Sequence, residues 1–145
     1  RLVIAGSGPD ERRLRAHAAA LGVADRVVLA GPVPPQRLPA LFSASAAMVL
    51  PSENEGLANA WVEALACGTP LVIPDVGGAR EVVRNASGGR IVDRSTPAIA
   101  RAVRELLADP PEQAAVAENA ARFTWESNAE ALAAHYSRIA GARPR

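Results

Sequence analysis

Two glutamates eight positions apart, Glu55 and Glu63, stand in a stretch that has little need of charge: Ser52–Val83 reads SENEGLANAWVEALACGTPLVIPDVGGAREVV. An ionised carboxylate only accepts hydrogen bonds, so it suits paired hydroxyls such as those of a sugar or a ribose. Glu55 lies in a glycine-bearing loop ahead of a helix, whose first backbone N–H groups lack intrahelical partners and carry partial positive charge. Such a helix start attracts a phosphate or another oxyanion, and Gly56 allows close backbone approach. Glu63 interrupts the apolar run ANAWVEALAC, where a charge costs stability unless it meets water or a ligand. A plainer account needs no ligand: Glu53 and Glu55 complement the helix dipole, and Glu63 is a solvated helix residue. The glycine turn DVGGAR, Asp75–Arg80, opens a further helix and favours the ligand.

The elements that must hold these residues follow from hydrophobic pattern. Short apolar runs read as strands: Leu2–Gly6, Arg26–Gly31, Ala46–Ser52, Leu71–Pro74 and GGRIVD, the first of them suited to burial on both faces. Between them fall helical periods at Asp10–Leu21, Gln36–Ala44 with Pro39 in its first turn, Ala58–Cys67 and Ala79–Asn85. Gly68 takes the C′ position after Cys67, with Pro70 beyond it. Thr96-Pro97 starts a helix to about Ala108, and closing helices cover about 112–140. Strand–helix alternation with crossover connections implies a parallel sheet with helices on both faces. Ligands of such sheets sit at the carboxyl ends of the strands. The loops to watch are therefore Gly6–Asp10, Gly31–Arg37, Pro51–Asn59 and Asp75–Gly78.

Composition narrows the classes. The 145 residues suit one α/β domain with a proper core, packed through alanine and aliphatics because aromatics are only 3%. A net charge of +1 gives no global field for nucleic acid. The single Cys67 rules out an internal disulfide and a cysteine-built zinc site, and it reads as a packing residue at a helix end. His17 and His135 are isolated on helical stretches. No metal site is expected. No apolar run reaches the roughly 18–20 residues of a membrane span. The turn Gly6-Ser7-Gly8-Pro9 approaches a dinucleotide fingerprint, but Pro9 and the missing third glycine break it. Trp61 and Trp125 read as core or domain-contact residues. The abrupt start, Arg1 followed by LVIA, raises the expectation of a fragment.

At this point the residues carry a resemblance. Pro51-Ser52, Glu55-Gly56-Leu57, Glu63-Ala64-Leu65-Ala66-Cys67-Gly68-Thr69-Pro70, Gly77-Gly78 and Glu81-Val82-Val83 together resemble retaining glycosyltransferases of family 4, in particular the E-x7-E motif of their donor-binding domain. The flanks LVIAGSGPDERRL, RVVLAGPV, LPALFSASAAMVLPS and FTWESNAEALAAHY are similar to the same domain, so the likeness spans nearly the whole chain. The fold it implies is a Rossmann-like, doubly wound parallel sheet, the C-terminal half of a GT-B enzyme, with its first strand and helix missing. Residues 1–145 would then be one partial nucleotide-sugar-binding domain.

The resemblance also implies roles. Glu55 meets the hydroxyls of the transferred sugar and is the catalytic residue of the set. Glu63 binds the ribose hydroxyls, and the backbone of Gly56, Leu57, Ala58 and Asn59 faces sugar and phosphates. Val33, Arg37 and Gly8 complete the donor site, the first two near the nucleobase. Ala58-Asn59 departs from the Gly-Leu of many members, which bears on sugar preference. The Arg and Lys that clamp the diphosphate in the family lie on a strand and helix upstream of this sequence, and all sixteen basic residues here are arginine. The implied activity is transfer of a hexose from a nucleoside diphosphate sugar, with retention, to an acceptor hydroxyl in cell-envelope polysaccharide or glycolipid synthesis. No cofactor is expected beyond that co-substrate. The partners are the nucleotide sugar and an acceptor glycan or lipid-linked sugar held by a missing N-terminal domain, with no nucleic acid. The location is the cytoplasm, extending to the inner face of the membrane. Two rivals stand beside this: a non-catalytic sugar-nucleotide-binding module, and a nucleotide-sugar epimerase on a similar scaffold.

Overall fold

The computed structural model describes residues 1–141, in two compact units that divide between Leu38 and Pro39. The first holds β1 (Leu2–Ala5), α1 (Glu11–Ala20) and β2 (Val27–Gly31). The strands β1 and β2 pair in parallel, Leu2 opposite Val27 and Ile4 opposite Leu29. Helix α1 is the crossover, stopped at Gly22, whose φ of +66° no β-branched residue adopts readily. The expectation that β1 is buried on both faces does not hold: Leu2, Val3 and Val28 are 50%, 42% and 45% exposed. Burial of a strand's faces is set by the layers packed on them, and the side chains of β1 are left largely uncovered.

The second unit begins inside α2 (Leu38–Ser43) and continues through β3 (Met48–Val49), α3 (Asn59–Ala66), β4 (Leu71–Ile73), α4 (Ala79–Val82), β5 (Gly89–Ile91), α5 (Thr96–Ala108), α6 (Gln113–Ala117) and α7 (Trp125–Gly141). Its sheet is parallel in the order β3-β4-β5. The middle strand β4 is buried throughout, as an apolar run covered on both faces should be. Against one face pack Trp61, Ala64 and Leu65 of α3 with Ala79, Val82, Val116 and Ala120. The second cluster joins Val72 to Ala102 and Leu106 of α5. The α/β class with parallel sheets is therefore the observed one.

Element ends differ from the sequence expectation where side chains compete with the backbone. Helix α4 stops at Val82 instead of reaching Asn85, because the Asn85 carboxamide accepts from the N–H groups of Ser87 and Gly88 at 3.1 Å each and shapes a turn. The cap of α5 is Ser95, which accepts from the Ala98 N–H at 3.4 Å, one residue ahead of Thr96. Strand β3 is two residues long, well short of Ala46–Ser52. Trp61 is fully buried, whereas Trp125 is 87% exposed at the start of α7 and takes no part in the core.

Candidate functional site

The chain leaves the carboxyl end of β3 at Leu50, whose N–H donates to the Val72 carbonyl at 3.2 Å. Pro51–Ala58 then form neither helix nor strand. Helix α3 opens behind Ala58 with no side-chain cap, so its first N–H groups remain available to a ligand. Within this loop Glu55 and Ala58 are half-buried, while Gly56, Leu57 and Asn59 are exposed. One turn into α3, Glu63 is exposed, between Trp61 and Ala64-Leu65, which all face the core. Among the described residues neither Glu55 nor Glu63 forms an ion pair. The charge inside the apolar run is thus accommodated by exposure to solvent.

What holds α3 in register is its far end. Gly68 at φ +77° lets its N–H reach the Leu65 carbonyl at 2.8 Å while the Thr69 N–H reaches Ala64 at 2.9 Å. This pair of bonds is the Schellman closure. The Thr69 hydroxyl, fully buried, donates to the Phe42 carbonyl at 2.6 Å and pins the helix end to α2. Gly-Thr-Pro is therefore structural, and Cys67 is the half-buried C-cap residue.

The Gly77-Gly78 turn meets the Glu55 loop directly. The Gly78 N–H donates to the Gly56 carbonyl at 2.6 Å. A Cβ on Gly77, whose φ is +49°, would collide with the carbonyl oxygens of Glu55 and Gly56, and one on Gly78 would lie 2.8 Å from Leu57 Cδ1. The glycines here serve close approach of two backbones, which joins the loops after β3 and β4. Asp75 braces the turn by accepting from Arg80 Nε at 2.9 Å and from its terminal nitrogen at 2.6 Å. This hydrogen bond, with the carboxylate's charge, raises the pKa of the Arg80 guanidinium.

The remaining candidates belong to the first unit. Gly8 lies in the loop after β1, along an open cleft of about 250 Å³ lined by Gly6–Glu11 with Ile4, Leu14 and Leu29. The Gly6 N–H donates to the Gly31 carbonyl at 2.8 Å, so the Gly8 loop and the Val33–Arg37 loop leave the same end of one sheet. Val33 is half-buried, and Arg37 is exposed at the close of the 3-10 turn Pro35–Arg37. Gly8, Val33 and Arg37 thus belong to the first unit, and the contiguous Glu55–Asn59 group to the second.

The four loops singled out from the sequence omit the one after β5, although it too leaves the carboxyl end of a strand. Arg94 of that loop donates from Nε to the Pro51 carbonyl at 3.0 Å. Among the described residues no cluster of His, Cys, Asp or Glu could hold a metal ion, and no helix is long and apolar enough to cross a membrane.

Comparison with known proteins bears on the family and the fold. The family model described as "Glycosyl transferases group 1" matches residues 1–123. The chain is 40% identical, over an alignment 146 positions long, to the D-inositol 3-phosphate glycosyltransferase of Acidothermus cellulolyticus, covering 94% of this chain and 32% of that protein. The enzyme of the same name from Rhodococcus jostii is 38% identical, with coverage of 82% and 27%. The chain thus spans about a third of the length of the curated relatives it matches. Among solved structures, sucrose-phosphate synthase from Thermosynechococcus elongatus superimposes with a TM-score of 0.80 at 29% identity, over 98% of this chain and 38% of that one. A lipopolysaccharide outer core galactosyltransferase shares the fold at a TM-score of 0.75 and 22% identity, over 88% and 37% of the two chains. With a Rossmann-like fold shared with GT-B enzymes and a family match over most of its length, the chain belongs to the group 1 glycosyl transferases.

Proposed function

We propose that the polypeptide carrying this chain is a retaining glycosyltransferase that moves a hexose from a nucleoside diphosphate sugar to an acceptor hydroxyl. The observation that carries the reading is the open start of α3 beside the half-buried, unpaired Glu55, in a loop fixed by the Gly78–Gly56 hydrogen bond. In this reading Glu55 grips the hydroxyls of the sugar in flight. Glu63 accepts from the ribose hydroxyls. The N–H groups of Gly56, Leu57, Ala58 and Asn59 face sugar and phosphates, where a preorganised dipole stabilises charge developing on the leaving diphosphate. Val33 and Arg37 serve the nucleobase side of the donor, and Gly8 belongs to the same donor site. Residues 1–145 act as one partial donor-binding domain, catalytically silent alone.

The acceptor belongs to envelope polysaccharide or glycolipid synthesis, and we place the reaction in the cytoplasm or at the inner face of the membrane. The relatives are named for D-inositol 3-phosphate, so a phosphorylated polyol is the first acceptor to try, followed by glycans and lipid-linked sugars. The test is turnover by the complete polypeptide on a panel of nucleoside diphosphate hexoses and these acceptors, with the product anomer assigned by NMR. A product with the donor's anomeric configuration is expected. An inverted product contradicts retention, and hydrolysis or epimerisation of every donor without transfer contradicts the activity.

A further inference from the structure

The loop Pro51–Gly56 has three external attachments, and two of them bracket Glu55. Its root is the Leu50 N–H on Val72 of β4. Its far end is the Gly56 carbonyl, held by the Gly78 N–H at 2.6 Å. Between them Arg94, forty-three residues on, uses two nitrogens at once: Nε donates to the Pro51 carbonyl at 3.0 Å, and a terminal nitrogen pairs with the Glu53 carboxylate at 2.9 Å. Two residues before Arg94, the Val92 N–H donates to the Ile73 carbonyl of the buried strand β4 at 2.9 Å, which ties the backbone leading to Arg94 to the sheet. A planar guanidinium gripping one carbonyl and one carboxylate fixes direction as well as distance, which a point-charge ammonium does not.

We propose that Arg94 is a positioning residue for sugar transfer, acting through the loop to set the Glu55 carboxylate. The proposal rests on the donor-site reading above. Both partners of the ion pair are well exposed, with side-chain exposures of 44% and 72%, and such pairs contribute little to folding stability. The effect of Arg94 therefore falls on geometry rather than on the fold. Small displacements of a reacting group are costly to rate: about 1 Å of misplacement reduces turnover by up to roughly a hundredfold. The ribose-binding side, on the body of α3, is held independently by Gly68 and Thr69.

The experiment compares Arg94→Ala, Arg94→Lys, Glu55→Gln and the double variant Arg94→Ala/Glu55→Gln in the complete polypeptide, with kcat, calorimetric nucleoside diphosphate affinity and melting temperature measured for each. Arg94→Ala is expected to lower kcat by about ten- to a hundredfold, with nucleotide affinity and melting temperature unchanged. Arg94→Lys restores part of the loss. The double variant is no slower than Glu55→Gln, since residues acting through one another are not additive. The proposal is overturned if Arg94→Ala leaves kcat intact, if melting temperature and kcat fall together, or if the double variant loses both factors in full. If Glu55→Gln alone leaves turnover unchanged, the donor-site reading fails and the Arg94 proposal fails with it. A damaging Glu55→Gln beside a harmless Arg94→Ala sinks the Arg94 proposal alone.

Discussion

Glu63 is exposed on a helix whose neighbouring residues Trp61, Ala64 and Leu65 are buried, so its side chain is free to serve a ligand without weakening the core. Its conversion to glutamine keeps shape and removes charge. The expected outcome is a loss of nucleoside diphosphate affinity of about tenfold, the scale of one charge-assisted hydrogen bond, with the melting temperature unchanged. Calorimetry with the bare nucleotide measures it. Unchanged affinity would return Glu63 to the role of a solvated surface residue. Glu63 stands out in the sequence as a charge inside an apolar helix, and Glu55 as a carboxylate in a glycine-bearing loop just ahead of a helix start. Arg94 does not, since its partners Pro51 and Glu53 lie about forty residues away and nothing in VDRST announces them.

Helix α3 shows how an element is fixed from its trailing end so that its leading end can stay open. The sequence placed Gly68 at C′ correctly because glycine after an apolar helix and before proline is a local signal. It did not disclose that Gln113 packs against that glycine, with its Cβ 2.7 Å from where a Gly68 Cβ would stand. Gly68→Ala should therefore destabilise the fold by more than the roughly 1 kcal/mol of a left-handed non-glycine residue, because the contact adds to the conformational strain. Chemical denaturation would register this as a lower midpoint at constant slope. A midpoint equal to the parent's would mean that the α3 end relaxes freely. Likewise, the strand–helix order was readable along the chain, whereas the lengths of β3 and α4 were not, being set by pairing partners and by the Asn85 turn.

In the molecule as a whole, apolar residues of the first unit's strands meet solvent, and β1 and β3 each pair on one edge alone among the described residues. Unpaired strand edges with exposed apolar side chains template association. The 145-residue chain alone should therefore associate with concentration, and light-scattering mass across a dilution series measures this. A strictly monomeric chain that melts in one sharp transition would contradict it. The alternation of elements revealed the α/β class in advance. It could not reveal exposure of β1, because apolar runs of this kind are written the same way whether or not both faces are covered.

Glu55, in a loop tethered at Glu53 and at the Gly56 carbonyl, meets the sugar rather than the nucleotide in the reaction proposed. The most direct measurement is Glu55→Gln in the complete polypeptide, with donor turnover and bare nucleoside diphosphate binding determined on the same sample. We expect kcat to fall on the order of a hundredfold, the loss of an interaction made chiefly in the transition state, while nucleotide affinity stays within about twofold. Parental turnover in that variant, or a loss of nucleotide affinity equal to the loss of turnover, would contradict the claim.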